Sequence, residues 1–369
     1  MVPPEVTAAL AQPLLGHMDP DLFPILDDIV GLLRRVFQTD NELAFPLSAT
    51  GTGAMEATLL HLVKPGERLA VCTAGFFADR LVDIGRRIGA DVLRVEAPWG
   101  HVVDPDDLRR VLASPGGKGI RAVAVAHVET STGVLQPLAD LVRAAHTYDA
   151  VVLVDAVASL GGVELPVDRW EIDACYSGSQ KCLSAPPGLA PLTVHARTRG
   201  RHVPATLYFD LEALWRYWGP TRAYHHTVPV PFLYAMRQAL RLVVDEGPDD
   251  RVARHWRHAR GLWRGLDALG LKLLVADEHR SPTVTTVLIP EGVDDARVRA
   301  RLLRDHGIEI SGGLGPLRGK IWRIGLMGHS SQARWVLLLL GALEAAMAAD
   351  GYRAPHAAAV AQAAADLAG

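Results

Sequence analysis

The chain has 369 residues, 49% of them hydrophobic, which is enough apolar material for one large domain with a smaller one, or for two domains. Its formal net charge is only -3, from 38 basic and 41 acidic residues, so neither a nucleic-acid partner nor an anionic membrane partner is implied. No apolar run reaches the roughly 18 residues that span a bilayer, and residues 1–5 lack a signal-peptide pattern, so we expect a cytoplasmic protein without a membrane segment.

A helix is the first element that the sequence predicts, over residues 21–39, where apolar side chains recur at helical spacing. Strands and helices then alternate as far as residue 160. The strands are predicted at 69–72, 92–95, 122–126 and 150–154, and the helices at 53–63, 78–88, 105–112 and 137–147. This alternation is typical of an α/β fold with a mainly parallel, doubly wound sheet. We therefore predict an N-terminal arm at 1–20 and a large domain at 21–246.

The pattern changes near residue 247. A helix is followed by a strand at 283–289, a helix at 295–306, a strand at 320–324 and a last helix. This order predicts a smaller α+β domain over 247–369. The alanine-rich tail at 357–369 is predicted to be helical, and we assign it no function.

Asp155 and Lys181 form the most informative pair of residues in the chain. Asp155 ends an apolar run at 150–154 that is too short for an independent helix and is rich in β-branched residues, so it is interpreted as a buried parallel strand. Ligands bind at the carboxyl edge of such sheets. A carboxylate there can pair with the pyridine nitrogen of pyridoxal phosphate, and a lysine can form a Schiff base with its aldehyde. Either residue alone means little, because strand-end aspartates and surface lysines are common.

The surroundings of Lys181 favour this chemistry. A short strand is predicted at 172–176 and another apolar run at 189–194, so the lysine is held between two strands. Ser177 and Ser179 precede it. Small residues let the backbone approach a ligand closely, and we expect these two hydroxyls to be available to donate to a phosphate.

Three other segments are candidates for the same site. Gly51 and Thr52 open a helix whose free N–H groups suit a phosphate, although an ordinary helix start has the same pattern. Phe77 is a candidate for stacking on a pyridine ring, or is a core aromatic. Arg323 is a charge within an apolar strand and needs a partner if it is buried. A substrate carboxylate or a structural ion pair would each satisfy it.

The histidines do not indicate a metal site. His225 and His226 are adjacent, and His255 and His258 lie beside arginines on one predicted helix. Neither set brings the acidic or thiol partners of a typical zinc site. We therefore predict no bound metal.

These segments together resemble the class V aminotransferases, and more closely the alanine–glyoxylate (serine–pyruvate) aminotransferase group. The resemblance covers nearly the whole chain. It is most specific at residues 129–138, 154–162, 176–181, 186–188, 224–227, 312–315 and 323–326. It implies the fold type I of pyridoxal-phosphate-dependent transferases, with a large and a small domain, and a homodimer whose active sites lie at the subunit interface.

The resemblance assigns roles around the pyridine ring of the cofactor. It implies that Lys181 is the Schiff-base lysine and that Asp155 pairs with the ring nitrogen. Phe77 matches the aromatic that stacks on the ring. Thr130 matches a hydroxyl near the O3′ side, and Val157 matches the residue that packs against the opposite face.

The resemblance also assigns residues to the binding of the phosphate and of the substrate. The phosphate would be held by Gly51, Thr52 and Gln180, and by Tyr224 and Thr227 from the other subunit. Arg323 matches the arginine that binds the α-carboxylate, and Ser159 lies on the substrate side.

Two departures from the family affect the choice of substrate. The Gly-Pro-Gly-Pro segment that lines the family's substrate pocket is not matched in this sequence. Thr52 stands where the alanine–glyoxylate enzyme has a larger polar residue. The amino donor is therefore left open.

The reaction that the resemblance predicts is a ping-pong transamination. A small L-amino acid, with alanine or serine favoured, would pass its amine to a small keto acid, with glyoxylate first and pyruvate second. Lys181 as a free amine would move the α-proton, and Arg323 would orient both carboxylates.

Two alternatives stay open. A class V lyase such as a cysteine desulfurase needs a mobile loop cysteine, whereas Cys182 lies between two strands and Cys72 and Cys175 lie in strand-like segments. We expect all three cysteines to be reduced core thiols. A protein of the same fold without catalytic activity is the second alternative.

Overall fold

The structure is a computed structural model that describes residues 1–200, 202–355 and 358–367. The helices are α1 (Pro4–Ala9), α2 (Phe23–Phe37), α3 (Gly51–Leu62), α4 (Phe76–Arg87), α5 (Pro105–Ala113), α6 (Ala139–Thr147), α7 (Leu211–Trp218), α8 (Val230–Glu246), α9 (Pro248–Ala268), α10 (Asp295–His306), α11 (Ala333–Ala348) and α12 (Ala359–Leu367). The strands are β1 (Leu43–Leu47), β2 (Arg68–Thr73), β3 (Asp91–Glu96), β4 (Ile120–Ala126), β5 (Val128–Glu129), β6 (Val134–Leu135), β7 (Val151–Asp155), β8 (Ala174–Tyr176), β9 (Ala190–Val194), β10 (Val284–Leu288), β11 (Ser311–Gly312) and β12 (Ile321–Gly325).

A seven-stranded sheet in the order β1-β9-β8-β7-β4-β2-β3 forms the centre of the molecule. Strands β3, β2, β4, β7 and β8 run parallel, whereas β9 runs antiparallel to its two neighbours, β8 and the edge strand β1. The predicted α/β fold with a mainly parallel sheet is therefore confirmed. The carboxyl ends of β2, β4, β7 and β8 meet at one edge, and this edge carries the candidate site.

Helices cover this sheet because their sequences have one apolar face. In α2, for example, Leu26, Ile29 and Leu33 are fully buried at helical spacing. The predicted start of α5 is confirmed, since Asp104 accepts the N–H of Asp106 and Pro105 occupies the first helical position.

A second sheet, β10-β12-β11, packs with α9 to α12 around a separate apolar core. Helix α12 lies in the alanine-rich tail and contacts α9, where a Cβ on Gly261 would stand 2.8 Å from the Leu367 side chain. Arg264 pairs with Asp366 at 2.8 Å across the same contact. The rest of the predicted tail, residues 357, 368 and 369, lies outside the described residues. The division into an arm and two domains stays a prediction.

None of the helices that the structure describes has both the length and the apolar character needed to cross a bilayer.

Candidate active site

Asp155 is the central acidic group of the site. It ends β7 and is only 4% exposed. Its Oδ1 accepts the backbone N–H of Val157 at 2.8 Å, and its Oδ2 accepts the hydroxyl of Tyr176 at 2.8 Å. Burial raises the pKa of Asp155 to about 6, and the two hydrogen bonds oppose this rise. A carboxylate has about four acceptor positions, so Asp155 can still accept a donor from a ligand.

Lys181 lies on the segment that follows β8 and is half-buried. Burial is the main cause that lowers the pKa of its ammonium, and the charge of Arg323 adds to this effect. Asp155 opposes the shift. A lysine with a lowered pKa is more easily present as the free amine that acts as a nucleophile or base.

The two serines before Lys181 have a structural role. The Ser177 hydroxyl donates to the carbonyl of Ala156 at 2.9 Å, and the Ser179 hydroxyl donates to the carbonyl of Pro186 at 2.6 Å. Each hydroxyl has one proton to donate, so neither is available to donate to a phosphate. Our expectation for these hydroxyls was wrong, because they tie the turn before Lys181 to the carbonyls of two neighbouring segments, at Ala156 and Pro186.

Helix α9 holds the other end of the lysine segment through Arg251. This side chain is 5% exposed, donates to the carbonyl of Cys182 at 2.6 Å and to the carbonyl of Gly161 at 2.8 Å, and pairs with Glu246. The residue next to Lys181 is thereby fixed to α9.

The start of α3 forms a cradle beside Asp155. No side chain in the described part of the chain caps the first turn of this helix, so its N–H groups can bind an anion. A Cβ on Gly51 would lie 3.0 Å from Cγ2 of Val157, which shows how closely the two segments approach. Thr52 and Gln180 are exposed at the rim of this cradle. A glycine at position 51 therefore lets Val157 pack directly against the helix N-terminus.

Phe77 lies at the start of α4, which is anchored by the buried carboxylate of Glu129. Glu129 accepts the N–H of Phe77 at 3.3 Å and that of Ala78 at 3.1 Å. The guanidinium of Arg80 lies 5.0 Å from the ring centroid of Phe77 and donates to the hydroxyl of Thr52 at 3.0 Å. Arg80 thus links the aromatic ring to the anion cradle.

Arg323 occupies β12 and reaches the site from the second sheet. Its Nε donates to the carbonyl of Gly312 at 2.8 Å, and its Nη1 donates to the carbonyl of Thr130 at 3.2 Å. Within the described part of the chain, its Nη2 has no acceptor. A planar guanidinium fixed at two nitrogens can present the third to a carboxylate.

Ser159 is fully buried, and its hydroxyl has no hydrogen-bond partner among the described residues. An unsatisfied buried hydroxyl is costly, so this oxygen is available for a ligand or a water molecule.

Tyr224 and Thr227 lie on an exposed segment at one side of the site. Tyr224 is 63% exposed and contacts His17, with ring centroids 5.4 Å apart. Between them, the Nδ1 atoms of His225 and His226 are 2.9 Å apart, and Nε2 of His226 is 2.8 Å from the hydroxyl of Ser48. The histidine pair therefore anchors the Tyr224–Thr227 segment to the loop before α3. Both residues are exposed in the single chain.

The three cysteines are free and buried, and burial raises the pKa of Cys182 to about 11. Over residues 1–200, 202–355 and 358–367, no group of three or more His, Cys, Asp or Glu side chains is arranged to hold a metal ion.

Three contributing residues were not predicted from the sequence. Tyr176 contacts Asp155, Arg80 contacts Phe77 and Thr52, and Arg251 holds the lysine segment. A signal for Tyr176 exists in the sequence, since it ends its strand as Asp155 does, but the register of two strands is not visible in a single sequence.

Similarity to known proteins supports this picture. The family Aminotransferase class-V matches residues 28–319. The (S)-ureidoglycine–glyoxylate transaminase of Bacillus subtilis (strain 168) is 39% identical and aligns over 94% of this chain and 88% of its own. Its crystal structure superposes with a TM-score of 0.96 over 100% of this chain and 96% of that one.

Two alanine–glyoxylate aminotransferases are similar to this chain as well. The crystal structure of the enzyme from Nostoc sp. is 43% identical, with a TM-score of 0.91 over 94% of this chain and 92% of that chain. The enzyme from Callithrix jacchus is 39% identical over 94% of this chain and 85% of its own.

The fold is therefore that of the fold type I pyridoxal-phosphate-dependent transferases, as the sequence predicts. The chain belongs to the class V aminotransferases and is an aminotransferase. Membership of this family implies pyridoxal phosphate as the cofactor.

Proposed function

We propose that this protein transfers the amine of a small L-amino acid, with alanine or serine favoured, to glyoxylate, with pyruvate as the second acceptor. The observation that carries the proposal is the juxtaposition of buried Asp155, half-buried Lys181 and Arg323, whose Nη2 has no acceptor among the described residues. Relatives named for two different amino donors are both named for glyoxylate, which supports this acceptor.

The residues at the sheet edge fit pyridoxal phosphate. The uncapped start of α3 suits its phosphate, and Asp155 keeps an acceptor position for the protonated ring nitrogen. When bound, the cofactor supplies an electron-withdrawing ring that stabilises negative charge at the substrate α-carbon. Lys181 provides the amine that holds the cofactor and, once released, moves the proton at the α-carbon.

The ring and phosphate contacts follow the family pattern. Phe77 and Val157 would enclose the ring, and Thr130 would lie beside its hydroxyl. The phosphate would bind at the following residues: Gly51, Thr52, Gln180 and, from the partner chain, Tyr224 and Thr227. The Thr52 hydroxyl can accept a hydrogen bond from the Arg80 guanidinium and donate its own proton to the phosphate at the same time.

Arg323 and Ser159 would bind the substrate. The guanidinium would pair with the α-carboxylate that donor and acceptor have in common, so one pocket serves both half-reactions. The orphaned hydroxyl of Ser159 would gain a partner on the substrate side.

The proposed assembly is a homodimer. Exposed apolar residues surround the Tyr224–Thr227 segment, and the exposed fractions are 39% for Met18, 74% for Leu207 and 44% for Tyr208. Tyr208 contacts His226, with ring centroids 5.2 Å apart. Apolar side chains exposed together beside an incomplete site are typical of a subunit interface.

The first test is the absorbance spectrum of cofactor-loaded protein before and after alanine is added without a keto acid. We expect the yellow absorbance to fall with release of stoichiometric pyruvate and to return when glyoxylate is added. The Lys181→Ala variant should show neither change. A protein that stays yellow with alanine and with serine would contradict the proposed donors, and one that binds no cofactor would contradict the site.

A lyase is the alternative that the structure favours least. Cys182 is fully buried, and its raised pKa of about 11 keeps the thiol protonated, whereas a sulfur acceptor must be a mobile thiolate. Release of sulfide from cysteine by the wild type but not by Cys182→Ser would overturn this conclusion. A non-catalytic role would be supported if the loaded protein released no keto acid from any small amino acid.

A further inference from the structure

Tyr176 has a contact that its place in the family motif does not explain. In the parallel pairing of β7 with β8, Tyr176 stands directly beside Asp155. Both side chains are buried, with exposed fractions of 0% for Tyr176 and 4% for Asp155. The distance of 2.8 Å between the hydroxyl and Oδ2 is that of a good O–H···O bond.

The direction of this hydrogen bond is set by chemistry. An ionised carboxylate only accepts, so the phenol must donate. Burial raises the pKa of Tyr176 well above its ordinary value, and the charge of Asp155 adds to this effect, so the phenol keeps its proton over the whole working range of an enzyme. The bond therefore exists at full strength when Asp155 is charged and weakens when Asp155 is protonated.

Few other groups act on the charge of Asp155. On its own segment the backbone N–H of Val157 donates to the other oxygen. The titratable or charged side chains around it are Tyr176 and Cys175 on β8, Glu129 after β4, and Lys181 after β8. Among the residues that the structure describes, Tyr176 is the only side chain that hydrogen-bonds to Asp155.

We infer that Tyr176 is a positioning residue of the reaction, whose hydroxyl keeps the Asp155 carboxylate ionised and fixes its plane for the ring nitrogen of the cofactor. This inference rests on the proposed cofactor site. Burial alone would leave Asp155 partly protonated near neutral pH, and a neutral acid forms no ion pair with a protonated ring nitrogen. Tyr176 offsets that effect without touching cofactor or substrate.

The test is the dissociation constant of pyridoxal phosphate measured as a function of pH, by titration of cofactor-free protein between pH 5 and 9. Wild-type affinity should fall as Asp155 takes up a proton in acid. In Tyr176→Phe this decline in affinity toward acid pH should move up by about one pH unit, so that binding is roughly twofold weaker near pH 7 and nearly tenfold weaker near pH 5. The affinity should return toward that of the wild type at alkaline pH. KM for the amino acid should change little, because Tyr176 does not reach the substrate.

A double-mutant cycle separates this role from a packing defect. In the Asp155→Asn background there is no charge to stabilise, so Tyr176→Phe should have no further effect on the pH profile. Tyr234→Phe is the matched control, since Tyr234 is buried and its hydroxyl bonds to the backbone of Pro13 and Leu15. That variant should keep the wild-type profile.

The outcomes are distinct. The inference would be overturned if a folded Tyr176→Phe protein lost cofactor affinity at the same acid pH as the wild type. It would also be overturned if Tyr176→Phe shifted the pH dependence of cofactor affinity equally in the Asp155→Asn background. If the Phe variant does not fold, Tyr176→Met also removes the hydroxyl and is flexible enough to fill the space of the ring. A wild-type protein that binds no cofactor at any pH would instead contradict the proposed function itself.

Discussion

At the scale of single residues, the buried charge of Asp155, which the proposed cofactor site needs, lowers the free energy of unfolding. Its pKa of about 6 in the folded chain lies above its ordinary value of 3.8, mainly because of burial. The folded protein therefore holds this proton more tightly than the unfolded chain does, and stability falls as pH rises from about 4 to 6. The cost persists above pH 6 until a cofactor neutralises the charge.

Asp155→Asn should therefore stabilise the cofactor-free protein at alkaline pH. We expect a gain of about 2 kcal/mol in the free energy of unfolding at pH 8, because the buried charge is removed and Asn can keep a similar hydrogen-bonding pattern. The gain should vanish below pH 4, where the wild-type acid is neutral in both states. Urea unfolding of cofactor-free protein at the two pH values measures it, and a loss of stability at pH 8 would contradict the prediction.

Arg323→Lys should separate substrate binding from cofactor binding. A lysine cannot keep the two bonds to Gly312 and Thr130 and also present a planar pair of donors. We expect KM for alanine and for glyoxylate to rise about 100-fold, with an unchanged dissociation constant for the cofactor. Arg318→Lys, at an exposed position on the turn before β12, is the control and should leave both constants unchanged. A weaker cofactor complex in Arg323→Lys would argue for a different role.

At the scale of elements, the sequence predicted the parallel strands and most helices, because apolar runs rich in β-branched residues alternate with amphipathic segments. It did not predict β1 or the antiparallel sense of β9. Pro46 lies within β1 and counts against a strand in a sequence pattern, but β1 is an edge strand, and Pro46 pairs with Pro191 of β9, where neither needs a donor. The Asp155 and Lys181 pair was visible because both lie next to short apolar strands. Tyr176, Arg80 and Arg251 were not, since their roles depend on contacts between distant segments.

Helix α9 should prove important because Arg251 joins it to the lysine segment. Arg251→Met would leave two buried carbonyls and Glu246 without their partner. We expect a loss of about 3 kcal/mol in the free energy of unfolding and a less ordered Lys181. Arg260→Met, at an exposed position of the same helix, should change stability by less than about 0.5 kcal/mol. Urea denaturation compares the two, and equal effects would show that Arg251 has no special role.

At the scale of the whole molecule, neutral histidines buried in both parts of the fold make the free energy of unfolding depend on pH. Burial lowers the pKa values of His61 and His258 to about 4, and those of His127 and His255 to about 3. In the unfolded chain each would titrate near its ordinary value of 6.5. The unfolded state therefore binds more protons, and stability falls as pH decreases below about 6.5.

This acid sensitivity can be measured. Four histidines held neutral cost about 2 kcal/mol each at pH 5, and protonation of Asp155 returns only about 1 kcal/mol of the total. We expect the cofactor-free protein to lose roughly 7 kcal/mol of unfolding free energy between pH 7.5 and 5. His127→Asn should lower the slope of unfolding free energy against pH by the amount that corresponds to about one proton. A stability that is flat over this range would show that these side chains are charged in the folded state.

The exposed Tyr224–Thr227 segment has a genetic consequence. If each chain contributes this segment to the active site of its partner, a lesion of Lys181 in one chain and a lesion of Tyr224 in the other fall in the same site of a mixed dimer. One site then carries both defects and the other carries none. Two inactive alleles expressed together would complement each other, whereas two alleles that both alter Lys181 would not.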